Sequence, residues 1–272
     1  MKVTVLLCFF CFGLAYTQND HTNQLDEIVL RGNFSPLVSS GYQVNVISDS
    51  VLGQNFEGLG NLLQKQSNFY FRQNGNGMVS SISLRGTSAS QTGVYWNGIA
   101  INSALNGQTD FNSLQVSGFD EVEIRKGGGS ALLGSGAIGG AVNLKDKVVF
   151  SPDKKVMMSL GAGSFNTYYG NIKALFSTEK IFFKLAGGAM NSENDFPISG
   201  TDLKNENGAY RNYNFSSTLS YRLNESHTIS LNTVLFDNDR NLSGTLSSES
   251  RAKLYNTDGR LLIDWKYLGN SY

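Results

Sequence analysis

The residues with the most suggestive spacing for chemistry lie in "KGGGSALLGSGAIGGAVNL", Lys126 to Leu144, where seven glycines fall within the first fifteen residues. Gly134, Gly136 and Gly139 spell G-x-G-x-x-G, a pattern whose backbone N–H groups can cradle a dinucleotide pyrophosphate at a helix N-terminus. Asp153, about twenty residues past Gly134, even stands where a ribose-binding acid belongs. That chemistry needs a strand before the first glycine and a helix opening on the last. Here the order is inverted: "SALL" reads as a helical turn before Gly134, and "GAVNL" reads as a strand after it. Seven residues separate Gly140 from the next apolar strand, "VVF", whereas a βαβ crossover takes about a dozen or more. The spacing therefore argues against a nicotinamide enzyme. Gly134, Gly136, Gly139 and Gly140 are better suited to tight backbone turns and to close packing against a surrounding wall.

Other reactive side chains are scarce. The two histidines, His21 and His227, fall in a linker and at a turn and read as solvated, and the serine-rich stretches have no general base nearby. No catalytic constellation emerges, and the chain is expected not to be an enzyme. Carboxylates cluster in "NSENDFPISGTDLKNENGA", which carries Glu193, Asp195, Asp202 and Glu206, and Asp237 and Asp239 stand at the next long loop. Such oxygens suit Ca²⁺, although no fixed ligand spacing is present.

The elements that must position these residues are set by composition. Charge is sparse and balanced, 22 basic against 22 acidic residues, so nothing points to nucleic acid. Thirty glycines, three prolines and 11% aromatics favour short strands over helices. "MKVTVLLCFFCFGLAYTQND" has a basic start, an apolar core from Val3 to Leu14 and a small-residue cleavage zone, the form of a secretory signal peptide over 1–17. Both cysteines, Cys8 and Cys11, lie inside it, so the exported chain would carry no disulfide or thiolate site. No later apolar run reaches the roughly 18 residues of a spanning helix.

Two grammars follow. Residues 41–147 mix strand-like runs ("YQVNVIS", "VSSISLRG", "GVYWNGIAIN", "FDEVEIRK") with one amphipathic helix, "NFEGLGNLLQKQ", in which Phe56, Leu59, Leu62 and Leu63 share a face. This is a small α+β domain. From about 154 the pattern becomes long strict alternation. Tyr213, Phe215, Leu219, Tyr221 and Leu223 fall on one face, and Asn212, Asn214, Ser216, Thr218, Ser220 and Arg222 on the other. Ile229, Leu231 and Leu235 repeat the pattern, as do Leu261, Ile263, Trp265 and Tyr267; Tyr168, Ile172, Ala174 and Phe176 oppose Asn171 and Lys173. A soluble sandwich, such as a secreted adhesin, also alternates. Segments of ten or more residues, aromatics near their ends and connections of alternating length fit a transmembrane barrel better. Six strands are expected over 154–272, fewer than the eight of the smallest single-chain barrels, so the sequence reads as a fragment.

At this point the chain resembles the TonB-dependent outer-membrane receptors. "SSISLRGTSASQTGVYWNGIAIN" and "FDEVEIRKGGGSALLGSGAIGGAVNLKDK" match two ordered motifs of their plug domain, and "LDEIVLRG" is similar to a TonB box. The resemblance implies an α+β plug domain (41–147) inside a transmembrane antiparallel β-barrel, in the outer membrane of a Gram-negative bacterium. It also implies a box and linker over 18–40, with Asp26, Glu27, Ile28, Val29 and Leu30 binding TonB and its inner-membrane complex. The short N-terminal segment resembles cobalamin and siderophore receptors more than glycan importers. Cobalamin (vitamin B12) is the ligand chosen, a siderophore the alternative, and related cobalamin receptors order their outer loops with calcium. In the family, two plug arginines pair with barrel glutamates and lock plug to wall. Those positions fall on Arg85 and on Lys126, which keeps the charge but not the bidentate fork. Trp96 stands where the family usually has Asp.

Overall fold

The structure is a computed structural model that describes residues 43–53, 58–66, 70–73, 75–83, 86–127, 134–245 and 247–269. The segments read as a signal peptide (1–17) and as a TonB box (Asp26–Leu30), with Phe56 and Arg85, lie outside the described residues.

The first half forms a five-stranded sheet beside a short helix. In chain order come β1 (Gln43–Ser48), the single turn α1 (Asp49–Leu52) and α2 (Leu59–Gln66). Next are the hairpin strands β2 (Tyr70–Gln73) and β3 (Ser80–Ser83), then β4 (Thr92–Trp96), β5 (Ile99–Ala100), β6 (Glu121–Lys126) and β7 (Gly140–Lys145). The sheet order is β1-β6-β7-β4-β5, antiparallel except for β4 against β7. The apolar spacing of α2 works as expected: Leu59, Leu62 and Leu63 are buried with Leu52, Trp96, Phe111, Val122, Ile124 and Val142 in one core. Asn97, at φ 46°, and Gly98, at φ 90°, close the β4–β5 hairpin, the left-handed pair that a tight two-residue turn requires.

The glycine-rich stretch runs in the predicted order, from turn to strand. Gly134 sits at φ 88° and caps a 3-10 turn, Ser135–Ala137, that leads into β7. Gly139 is needed for space, because a Cβ there would lie 2.2 Å from Thr87 Oγ1. The expected packing of this turn against a surrounding wall is corrected at that position: Gly139 packs inside its own domain, with its N–H donating to Gln91 O. "VVF" is corrected too. Residues 146–152 form no strand; Ser177 Oγ donates to Val149 O, and Arg222 lies 4.4 Å above the Phe150 ring.

The second half is a meander of six antiparallel strands, β8 (Asp153–Gly163), β9 (Thr167–Ser177), β10 (Ile181–Ser192), β11 (Tyr210–Arg222), β12 (His227–Asn241) and β13 (Lys253–Tyr267), neighbours in sequence and in space. Their 11 to 15 residues suit tilted membrane strands. Alternation sorts the side chains as read. Tyr213, Phe215, Leu219 and Tyr221 are exposed on one face, while Asn212, Ser216, Thr218 and Ser220 are buried on the other, against the α+β domain. The apolar face is most open on the two edge strands: Val156, Met158 and Leu160 of β8 are 65–71% exposed, and Leu261, Ile263 and Trp265 of β13 are 65–68% exposed. That face fits lipid contact. The turns 178–180 and 223–226 are short, and the loops 193–209 and 242–252 are long. Asp237 and Asp239 are therefore not loop residues. They lie within β12, on its outward face, because that strand continues to Asn241.

Candidate functional site

Two groups of charges join the α+β domain to the wall. The larger begins with Lys173 on β9 and Lys184 on β10, both on the inward face. Ala186 is opposite Lys173 in register, so the two ammonium groups are diagonal neighbours. Lys184 is fully buried, and its Nζ lies 2.6 Å from both Asp120 Oδ2 and Asp146 Oδ1. Lys173 Nζ reaches Asp120 Oδ1 at 2.5 Å, Asp49 Oδ1 at 2.6 Å and Phe119 O at 3.1 Å. Asp120 is thus shared by two lysines on adjacent strands. It also accepts the Lys147 N–H at 2.8 Å.

Asp146, 4% exposed at its side chain, is held from the domain side. Trp96 Nε1 donates to its Oδ2 at 3.1 Å and Asn97 Nδ2 at 2.7 Å, and its own N–H donates to Asn97 Oδ1. Trp96 therefore takes the place expected of an acid by acting as a donor to one. Burial by itself would raise the pKa of Asp120, but Lys184 and then Lys173 outweigh it and hold the carboxyl below its usual range. Three carboxylates face two ammoniums. Buried ion pairs of this kind confer little net stability when whole, and their rupture is costly because it strands a charge.

The second group lies toward the long-loop end of the wall. Arg240 on β12 is 1% exposed; its Nη2 lies 2.6 Å from Asp110 Oδ2, and its Nη1 donates to Gly77 O at 3.4 Å. Between the groups the contacts are neutral and small. Asn212 Nδ2 approaches Asn112 O at 3.5 Å, and Ser117 Oγ donates to Asn171 Oδ1 at 3.0 Å.

The sequence-derived lock concerns other residues, of which Arg85 lies outside the described residues. Lys126 ends β6, half-buried, in register with Gln43 and Gly140. The six described wall strands contain no glutamate. The pairs that join the two halves put aspartates on the domain and lysines or arginine on the wall. The signal for this was present in the alternation, which placed Lys173 on the inward face, but the partner acids could not be read from it.

The proposed calcium ligands do not converge. Glu193 accepts from Asn166 Nδ2, Asp195 is 3.5 Å from Lys204 Nζ, Asp237 accepts from Thr257 Oγ1, and Asp239 pairs with Arg211 at 2.9 Å. Among the described residues no three such groups could hold a metal ion. His227 is not simply solvated either. It stacks on Trp265 and Tyr267, with ring centroids at 5.5 and 4.9 Å, and its Nδ1 accepts from Trp265 Nε1.

Residues 36–141 match the family model described as the TonB-dependent Receptor Plug Domain. The chain is 33% identical over 172 residues to "Vitamin B12 transporter BtuB" of Vibrio vulnificus (strain CMCP6), a stretch that covers 60% of this chain and 26% of that protein. It is 35% identical over 106 residues to the protein of the same name from Vibrio cholerae (strain ATCC 39541), covering 39% of this chain and 17% of that one. The matched stretches span about a quarter or less of these curated relatives. In fold it is similar to the ferripyoverdine receptor of the outer membrane of Pseudomonas aeruginosa, with TM-score 0.65 at 13% identity over 83% of this chain and 32% of that one. It is likewise similar to the copper transporter OprC, with TM-score 0.63 at 18% identity over 73% and 30%.

Proposed function

We propose that this chain, which carries the plug domain of a TonB-dependent receptor and six strands of its β-barrel wall, belongs to an outer-membrane importer of cobalamin. The observation that carries the reading is the pairing of a matched plug, residues 36–141, with a wall whose outward face is apolar and whose inward face is polar and filled by that plug. The likeness to vitamin B12 transporters supports cobalamin as ligand. No bond is made or broken in this activity. A ligand binds at the outer face, and work done from the inner membrane rearranges the plug.

Asp26–Leu30 is the proposed point of attachment. An extended segment that adds as a strand to a partner's sheet edge is held by main-chain hydrogen bonds. A pull there reaches β1 first, the first described strand after it and an edge strand of the plug sheet. Val29→Pro removes one N–H donor and fixes φ within that ladder. In the full-length receptor it is expected to leave radiolabelled cobalamin binding to cells in the cold unchanged and to abolish accumulation in energised cells. Normal accumulation by a well-expressed Val29→Pro receptor would refute the box, and absence of cobalamin binding by the unmodified receptor would turn the ligand assignment toward ferric siderophores.

A further inference from the structure

Asp110 and Asp120 bound one continuous piece of the plug, "DFNSLQVSGFD", and each end is fastened to the wall by charge. Asp110 meets Arg240 on β12, and Asp120 meets Lys173 on β9 and Lys184 on β10. Between them the piece lies directly on the inward face. A Cβ added at Gly118 would lie 2.5 Å from Ser216 Oγ and 3.5 Å from Ala186 Cβ, so the backbone touches β10 and β11 without a side chain between. Four adjacent wall strands therefore hold eleven residues of irregular backbone. The edge strand β1 is held differently: β6 is its sheet neighbour, and Asp49, just past its end, has a side chain 37% exposed where it meets Lys173.

We propose that Asp110–Asp120 is a strap that stays on the wall while ligand passes, with Asp110 and Asp120 as its positioning residues. The proposal rests on the importer reading above for its meaning, but the attachment itself is a property of the fold. Clearance must then come from plug residues outside the strap. If Asp49 leaves with β1, Lys173 keeps Asp120, and the remaining cluster is two carboxylates against two ammoniums. Release of β1 therefore strands no buried cation, whereas release of the strap takes from buried Arg240 the carboxylate it pairs with and leaves Lys173 and Lys184 with one carboxylate each, Asp49 and Asp146. This difference orders the two events.

Two measurements on the full-length receptor test it. The first needs no ligand. Two single-cysteine receptors, Ile47→Cys on β1 and Val116→Cys in the strap, each at a buried position, are exposed to a maleimide in rising sub-denaturing urea. The thiol on β1 should become reactive while the thiol in the strap is still protected. Loss of protection in the strap together with that on β1, or before it, overturns the strap. The second uses Gly118→Cys with Ser216→Cys. An ideal Cβ on Gly118 lies 3.5 Å from Ser216 Cβ, within the roughly 3.5–4.5 Å a disulfide spans. Cells with the oxidised pair should accumulate radiolabelled cyanocobalamin at the rate of cells with the reduced pair. Loss of accumulation on oxidation, restored by reductant, overturns the proposal. Failure of both the reduced pair and the unmodified receptor to accumulate cyanocobalamin counts against the ligand reading, and the urea series still decides the strap.

Discussion

Lys184→Met removes the charge at the centre of the plug–wall contact with little change in side-chain length. Its Nζ is 2.6 Å from both Asp120 and Asp146, and the side chain is fully buried, so the substitution strands carboxylate charge where water is excluded. Breaking one partner of a buried pair costs about 3–5 kcal/mol. The lower end applies here, because Asp120 keeps Lys173, and Asp146 keeps the Trp96 and Asn97 donors. About 3 kcal/mol, divided by a urea slope of about 1–3 kcal/mol/M, is a midpoint shift of roughly 1–3 M. Trp96 is the reporter, since it is buried and donates to Asp146. Trp265→Phe removes the other tryptophan of this sequence, and the difference in emission between that background and the same receptor carrying Trp96→Phe, titrated with urea, follows plug release. Asp146→Asn in the Lys184→Met protein should recover part of the loss, since it removes the stranded charge. A midpoint that does not move, or an Asp146→Asn change that adds to the damage instead of relieving it, would refute the buried-charge account.

Acid should loosen the same contact. Because Asp120 is held below its usual range in the folded state, it adds stability above the unfolded carboxyl value of about 3.9, and that stability is lost as pH falls through the lower folded value. Plug release in urea, measured from pH 7 down to pH 3, should steepen below about pH 4, and Asp120→Asn should flatten that limb while lowering the midpoint at pH 7. On the outward face, Leu231→Arg places a cation between Leu219 and Ile263, near the middle of the stretch of β12 that runs from His227 to Asp237. A charge near the bilayer midplane costs about 2–4 kcal/mol, and the heat-modifiable, folded band of the receptor on gels should diminish.

Much of this architecture could be read from the chain because it depends on local period. A two-residue repeat in "RNYNFSSTLSYRLN" placed Tyr213 and Leu219 outside and Asn212 and Ser220 inside, and no partner strand was needed to see it. Gly134 announced a turn for the same local reason. The lock could not be read this way. Lys173 and Asp120 are 53 residues apart and Lys184 and Asp146 38 apart, and nothing local distinguishes an aspartate that meets a wall lysine from one in water. The family's pattern on Arg85 and Lys126 points to barrel glutamates, of which the six described wall strands hold none, so it gave no hint of these aspartate–lysine pairs. Val148–Phe150 misled because three apolar residues suffice to suggest a strand, whereas here the Val149 carbonyl accepts from Ser177 and the Phe150 ring lies under Arg222.

The length of β12 has a consequence for where the receptor sits. From His227, stacked among Trp265 and Tyr267, the outward residues are Ile229, Leu231, Thr233 and Leu235, apolar but for the one threonine, and then Asp237 and Asp239 follow. Ten residues at about 3.4 Å each, tilted by about 40°, climb roughly 26 Å, which matches an apolar band of about 25 Å. Hydrocarbon thus ends at Asp237, and the Arg211–Asp239 pair stands above it. The last turn of β12 and the first of β13 form a raised collar outside the membrane, so the outer loops begin from a rigid parapet that lipid does not reach.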